Sequence, residues 1–147
     1  MHPRATALGI IIKEDDILLE EKIGKHSQGN GYYYRPIGGT IEFGETSDET
    51  LIREFREEIG AEIRIIRYIA CLENIFTIEG IIGHEITQIY LVELVDKKLY
   101  ENATFAVKEQ TKVTTAKWIY KEDLFSGQKS IYPNGIVNLL KGIFYKS

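Results

Sequence analysis

GTIEFGETSDETLIREFREEIGA, residues 39–61, carries the strongest structural pattern in this chain of 147 residues. Thr46 and Glu49 have the spacing of a capping box, which predicts a helix that begins near Ser47. Gly60 is the type of residue that ends a helix. Between them, apolar residues recur at helical spacing and predict a face that packs on a core; they are Leu51, Ile52, Phe55 and Ile59.

Three glutamates of the same segment are spaced to share a second helix face. Glu54, Glu57 and Glu58 stand at i, i+3 and i+4, away from the apolar face. Like charges this close repel one another, and divalent cations that prefer oxygen ligands would relieve the repulsion. From the spacing alone, two interpretations stay open: a metal-binding face and a solvated acidic surface.

The complete string resembles the signature of the Nudix hydrolases, Gly-x5-Glu-x7-Arg-Glu-U-x-Glu-Glu-x-Gly-U, where U is a bulky apolar residue. The final U is the one departure, because Ala61 is apolar but small. The usual Pro-Gly-Gly that precedes the string is altered to Pro36-Ile37-Gly38-Gly39, and the later segment Trp118–Leu124 is also similar to this family. The matching positions are Gly39, Glu45, Arg53, Glu54, Phe55, Glu57, Glu58 and Gly60.

This resemblance implies an α/β fold, an α/β/α sandwich with a mixed β-sheet between helices. It also implies a hydrolase that uses Mg²⁺, with Mn²⁺ as the alternative ion. This hydrolase would cleave a phosphoanhydride bond in a nucleoside triphosphate, or in a nucleoside diphosphate linked to another moiety. The alternative is a non-catalytic Nudix-fold module that senses a nucleotide, and such modules typically lose the glutamates that this chain keeps.

Site residues follow from the resemblance, position by position. Glu54, Glu57 and Glu58 would bind the metal, and the carbonyl of Gly38 or Gly39 would add a ligand. Glu54 is also a candidate for the base that takes a proton from the attacking water. Arg53 would orient a glutamate of the helix, and its alternative role is a surface ion pair. Glu109 is expected in the loop before the strand Thr114–Tyr120, where relatives often supply a further metal ligand or base, although an exposed loop glutamate needs no special role.

Substrate binding is predicted outside this segment. Arg35 precedes the glycines and has the guanidinium that suits phosphate oxygens, although a plain surface arginine is equally consistent. Tyr33, among three successive tyrosines, and Phe76 offer faces on which a nucleobase can stack. We expect selectivity to arise in the segments Gly24–Tyr34 and Phe76–His84, and strand alternation turns at least one tyrosine into the core.

The rest of the chain predicts strands around the central helix and one domain over residues 1–147. Thr6–Lys13 and Ile17–Ile23 are expected to form two strands joined by a tight turn, and Gly24–Gly31 a loop that turns at Asn30-Gly31. His84-Glu85 is expected at a turn. The further predicted elements are strands at Ile63–Glu73, Phe76–Ile78, Ile86–Val95 and Thr114–Tyr120, and helices at Glu122–Phe125 and Asn134–Ile143.

The composition limits the classes of partner that we expect this protein to bind. The net charge is −4, which argues against nucleic acid as the main partner and is compatible with a small nucleotide-type substrate held through metal. No apolar run is long enough to cross a bilayer, and no signal-peptide pattern opens the chain, so we expect no membrane partner. With the single cysteine Cys71, an internal disulfide is impossible, which favours a reducing compartment such as the cytoplasm. Cys71 itself is expected in the core.

The sequence leaves the substrate and the oligomeric state open. Subfamily markers for ADP-ribose (a proline) and for dinucleoside polyphosphates (a tyrosine) are expected roughly fifteen to eighteen residues past the helix segment. That window holds Phe76-Thr77-Ile78-Glu79 instead. A homodimer is a further expectation, because dimers are common among the proteins that this chain resembles.

Overall fold

A computed structural model gives the fold of residues 2–145. Nine strands, two α-helices of at least nine residues, one short α-helix and a 3₁₀ turn make up this part of the chain. The strands are β1 Arg4–Ile10, β2 Ile12–Lys13, β3 Asp16–His26, β4 Gly29–Arg35, β5 Ile37–Thr40, β6 Ile63–Ile78, β7 Ile81–Leu94, β8 Thr104–Glu109 and β9 Lys112–Tyr120. The helices are α1 Ser47–Ile59, α2 Lys121–Phe125 and α3 Ile136–Phe144, and the 3₁₀ turn is Lys97–Glu101.

The strands form two sheets. The first has the order β5-β1-β7-β6 and is mixed, because β1 and β7 run parallel while their outer neighbours run antiparallel. The second is antiparallel in the order β2-β3-β9-β8, with β4 paired to the outer part of β3. The strand β3 therefore extends from the hairpin with β2 to the hairpin with β4.

Helices cover both sides of these sheets and bury two apolar clusters. Leu51 and Phe55 of α1 are fully buried in the first cluster, together with Ala7 of β1. Leu140 of α3 is buried in the second cluster together with Leu8, the next residue of β1. Successive side chains of a strand point to opposite faces, so β1 contributes to both clusters. The predicted α/β class with a mixed sheet between helices is confirmed.

The helix α1 begins and ends where its sequence predicts. Glu49 Oε1 accepts a hydrogen bond of 2.9 Å from the backbone N–H of Thr46, which forms one half of the capping box. At the other end Gly60 adopts the left-handed conformation, with φ of 66°, and its N–H donates to the carbonyl of Arg56. Both ends of the helix are thus determined by local chemistry.

The predicted loop Gly24–Gly31 was wrong. β3 continues to His26 and β4 begins at Gly29, so that Asn30, predicted at the turn, pairs with Lys25 inside a hairpin. Glycine and asparagine favour turns locally, but here their backbone groups complete the ladder between two strands. The hairpin therefore reverses at Ser27 and Gln28.

The prediction of separate strands at 63–73 and 76–78 was also wrong. They form the single strand β6, because Asn74 and Ile75 pair with Glu85 and His84 of β7. The chain turns at Glu79 and Gly80, which both have positive φ. His84-Glu85 therefore lies within a strand and not at a turn.

Other predictions were corrected by the pairing of neighbouring strands. The run 6–13 divides after Ile10, because β1 and β2 belong to different sheets. Glu109 ends the strand β8, which the sequence did not reveal, and is not in a loop. Cys71 is exposed and not in the core, because it lies on the edge strand β6. Within residues 2–145, no helix has the length and apolarity to cross a bilayer.

Candidate active site

A cleft of about 580 Å³ opens between α1, the glycines of β5 and the β8–β9 hairpin. The structure brings together on its walls Glu54, Glu57 and Glu58 of α1 and Glu109 of β8, all of which the sequence singled out. Gly39 lines the same cleft. Among residues 2–145, the carboxylates on its walls are Glu20, Glu42, Glu54, Glu57, Glu58 and Glu109.

Glu58 is the most unusual of these side chains. It is only 7% exposed, and its Oε1 is buried without a hydrogen-bond partner among the described residues. Burial, followed by the charges of Glu54, Glu109 and Glu20, raises the pKa of Glu58 to about 9. A buried carboxylate in this setting is costly unless a proton or a cation compensates its charge. By contrast, the Glu57 side chain is 58% exposed.

Arg53 forms hydrogen bonds to several carboxylates of the segment 39–61 and holds them in place. It makes two bonds to Glu45, at 2.6 and 2.9 Å, and these bonds are the largest cause of a Glu45 pKa of about 2. From the same guanidinium, Nη1 donates to Glu54 at 2.9 Å and to Glu57 at 3.2 Å, and Nη2 donates to the carbonyl of Thr40. This geometry is what the predicted orienting role of Arg53 requires.

The two glycines of β5 let the backbone approach closely. A Cβ on Gly39 would lie 2.6 Å from the carboxyl carbon of Glu54, and a Cβ on Gly38 would lie 2.0 Å from the carbonyl oxygen of Ala7. Neither position has space for a side chain. The carboxylate of Glu54 therefore rests directly against the backbone of Gly39.

Glu20 is a residue of the cleft that the sequence analysis missed. It is 3% exposed on β3, its Oε2 accepts a 2.6 Å hydrogen bond from Thr114 Oγ1, and its carboxyl is within hydrogen-bonding reach of that of Glu109. Burial and then the contact with Glu109 raise the pKa of Glu20 to about 7. The available signal was a glutamate two residues after the buried Leu18, on the same strand face.

A second, smaller cavity of about 140 Å³ adjoins the cleft. Tyr33 and Phe76 line it together, and Arg35 lines both cavities. The Tyr33 ring lies 4.9 Å from the ring of His26 and 5.7 Å from that of Tyr132, two aromatic residues that the sequence analysis did not select. Tyr32 and Tyr34 lie two residues apart, on the strand face opposite to that of Tyr33. Tyr34 is buried and Tyr32 is exposed, so one of the three tyrosines lies in the core as predicted.

The donor set of the cleft fits a hard divalent cation. Its ligand atoms are carboxylate oxygens, which Mg²⁺ and Mn²⁺ prefer. Two carboxyl pairs, Glu20 with Glu109 and Glu54 with Glu58, lie close enough to hydrogen-bond, and a cation would neutralise both. Within residues 2–145, no three acidic, histidine or cysteine side chains already have the arrangement of metal ligands. Small side-chain movements would therefore accompany binding.

Comparison with known proteins identifies the family. The family model described as the NUDIX domain matches residues 2–135, which is most of the chain. The chain belongs to the Nudix family. Among curated Nudix relatives, it is 37% identical over 59 residues to the NAD-capped RNA hydrolase NudC of Photorhabdus laumondii. It is 40% identical over 60 residues to the ADP-ribose pyrophosphatase of Methanocaldococcus jannaschii.

These two matches cover 40% and 41% of this Nudix chain. They span only 22% and 34% of the relatives' own lengths. Among solved structures, the NUDIX hydrolase from Nitrosomonas europaea has a TM-score of 0.72 at 18% identity, covering 98% of this chain and 90% of that one. The MutT NUDIX hydrolase from Burkholderia pseudomallei has a TM-score of 0.66 at 20% identity, covering 95% and 98%. At these identities the structural likeness shows the Nudix fold.

Proposed function

We propose that this Nudix protein is a divalent-metal-dependent hydrolase that cleaves a phosphoanhydride bond in a small nucleotide-type substrate. The observation that carries the proposal is the buried Oε1 of Glu58, which has no hydrogen-bond partner in the described part of the chain and lies among other carboxylates in the cleft that the family motif lines. The named activities of the two curated relatives agree with this reaction class. A nucleotide-sensing module without catalysis would not need so many intact glutamates.

Mg²⁺, or Mn²⁺, would be held by carboxylates of the cleft. We assign Glu54, Glu57, Glu58 and Glu109 as ligands, together with the carbonyl of Gly39. When bound, the ion would neutralise phosphate charge and lower the pKa of a coordinated water.

The chain's own side chains orient the reaction. Arg53 holds Glu54 Oε1 at 2.9 Å, while the backbone of Gly39 limits the carboxylate on its other side. We assign to Glu54 the removal of a proton from the attacking water, because a general base must keep a defined orientation. Arg53, which touches the carboxylates, is a positioning residue.

Arg35 connects the reaction cleft to the site that we propose for the rest of the substrate. Its guanidinium suits phosphate oxygens, and it lines both the acidic cleft and the smaller aromatic cavity. A diphosphate in the cleft would thus extend its nucleoside toward Tyr33 and Phe76. The amide side chains of Asn74 and Asn134, which also line this cavity, supply hydrogen-bonding groups.

A substrate panel tests the proposed function. It should contain nucleoside triphosphates, nucleotide sugars, dinucleoside polyphosphates and NAD. ADP-ribose and NAD-capped RNA are included because the names of two relatives refer to them. Release of phosphate or nucleoside monophosphate in Mg²⁺ is the expected result. Nucleotide binding without any turnover across the panel would favour the sensing module instead.

Replacing Tyr33 or Phe76 with alanine should raise the KM of the preferred substrate about tenfold with little change in kcat, the pattern of lost uniform binding. Glu54→Gln should instead lower kcat with a small effect on KM. Tyr32→Ala is the matched control for Tyr33→Ala, because its ring is exposed and does not line the aromatic cavity. Unchanged KM values across the panel would show that the nucleoside binds elsewhere.

Arg53→Lys should lower kcat by about 10-fold to 100-fold, a typical effect of losing a partner that orients metal ligands. Lysine keeps the charge but cannot reproduce the several bonds of the guanidinium to Glu45, Glu54 and Glu57. Arg56→Lys is the control on the same helix, because Arg56 also makes two bonds to one carboxylate, that of Glu62, outside the cleft. Steady-state kinetics of both variants would contradict the orienting role if their losses were equal.

We further propose a cytoplasmic location and a homodimer for this protein. The location rests on its one cysteine, Cys71, which is exposed and suits a reducing compartment. Sedimentation of the purified protein at several concentrations would test the dimer.

A further inference from the structure

The negative charge of Glu20 is poorly compensated by the protein groups around it. It is buried on β3, and its carboxyl meets the carboxyl of Glu109, the last residue of β8. Glu20 is buried and Glu109 is partly exposed, and two carboxylates in contact repel each other unless a proton or a cation lies between them. The pair therefore has the property expected of metal ligands in the absence of their ion.

The protein groups around this pair neutralise it only in part. Lys22 Nζ lies 3.2 Å from Glu109 Oε1 and 3.6 Å from Glu20 Oε2, so one ammonium is shared between two carboxylates. Arg35 adds a weaker favourable charge that acts on Glu109. Thr114 donates a single hydrogen bond to Glu20 and supplies no charge. A buried ion pair is favourable only when its charges are matched and its hydrogen bonds are complete.

A second observation connects Glu20 to the helix on the opposite wall of the cleft. The buried Oε1 of Glu58 has no hydrogen-bond partner among residues 2–145, and Glu20 and Glu109 are two of the charges that act on Glu58. One cation beside Glu58, Glu20 and Glu109 would compensate all three carboxylates. The family motif supplies Glu58 alone among them, so β3 and β8 would complete the site.

We propose that Glu20 is a further ligand of the catalytic divalent cation, bound from the sheet side of the cleft together with Glu58 and Glu109. This inference rests on the metal site of the proposed function and adds a ligand that lies outside the family motif. It predicts that the ion links α1 to β3, so that metal binding stabilises the contact between the helix and the second sheet.

The stability of Glu20→Gln without metal distinguishes a metal ligand from a residue that is needed only for folding. The glutamine retains an oxygen for Thr114 and gains an N–H that can donate to Glu109, so the hydrogen bonds of the metal-free fold are improved. We therefore expect the Tm in EDTA to rise by about 2–4 °C, the shift typical of a modest stabilisation in a chain of this size. If Glu20 were needed only for folding, the Tm would fall.

Metal affinity supplies the direct test. Mn²⁺ titration followed by electron paramagnetic resonance of the free ion should give a Kd about tenfold weaker, or more, for Glu20→Gln than for the wild type. Glu20→Asp keeps the charge but withdraws it by one methylene, and should also weaken binding. Glu21→Gln is the matched control, because the adjacent glutamate bonds Tyr34 and Lys117 away from the cleft. Its Mn²⁺ affinity should equal that of the wild type.

The outcomes separate this inference from the proposed function. Wild-type protein that binds no Mn²⁺ would overturn both. Wild-type binding with an unchanged Kd in Glu20→Gln would overturn the Glu20 assignment alone and leave the motif glutamates as the metal site. Weaker Mn²⁺ binding together with a higher Tm in EDTA would support Glu20 as a ligand, whereas weaker binding with a lower Tm would overturn it.

Discussion

Glu58→Gln is expected to lower kcat by about 100-fold or more, because it removes a metal ligand. The same substitution is expected to raise the Tm of the protein in EDTA. The opposite signs arise because Oε1 of the buried carboxylate has no hydrogen-bond partner among residues 2–145. An amide of the same shape carries no charge, so its burial costs less. Thermal melts in EDTA beside steady-state kinetics in Mg²⁺ measure both effects.

Glu57→Gln is the matched control for that variant. It removes the same charge from the same helix, but the Glu57 side chain is 58% exposed. We expect kcat to fall by a similar factor of about 100 with almost no change in the Tm in EDTA, since exposed charges contribute little to stability. Wild-type turnover in both variants would exclude Glu57 and Glu58 as ligands of the catalytic metal.

The pH dependence of stability checks the same assignment without any substrate. The pKa of Glu58 is raised from 4.5 to about 9 by burial, so the metal-free folded state retains a proton that the unfolded chain loses. The folded state then binds more protons between these two values, and its stability should fall as the pH rises from 4.5 toward 9. This slope should be smaller in Glu58→Gln, as followed by chemical denaturation in EDTA. Equal slopes would contradict the cause given for the stabilisation.

Removal of the metal should abolish turnover. Protein treated with EDTA is expected to show only the uncatalysed rate, because the arginines and lysines that line the cleft can neutralise phosphate charge but cannot supply a metal-bound water of lowered pKa. Mg²⁺ should restore activity, and Ca²⁺ should restore it poorly because calcium accepts looser coordination. Stopped assays with added ions after EDTA treatment measure this. Full turnover in EDTA would exclude the metal-dependent mechanism.

The sequence by itself determined the helix α1 and the carboxylates that it presents. Its capping residues, its apolar face and Gly60 act within a few residues of one another, so their spacing predicts the helix without reference to the rest of the chain. The family string then indicated the fold class and the chemistry. Glu54, Glu57 and Glu58 indeed line one cleft, as their helical spacing requires.

Long-range pairing decided where the strands begin and end. Glycine and asparagine at 24–31 favour a turn locally, yet the backbone ladder between β3 and β4 extends through them. Asn74 and Ile75 similarly continue β6, because β7 supplies their hydrogen bonds. A local pattern cannot contain this information, since the partner strand lies elsewhere in the sequence.

Only the tertiary structure decided which glutamates are buried and which acidic residues join the helix. Glu57 and Glu58 are adjacent and chemically identical, but the sheets cover one and leave the other in solvent. Glu20 and Glu109 are far apart in the chain and meet because β3 and β8 both pair with β9. Contact between distant carboxylates depends on this packing. The same packing raises the pKa of Glu20 and leaves Glu58 Oε1 without a hydrogen-bond partner among the residues that the structure describes.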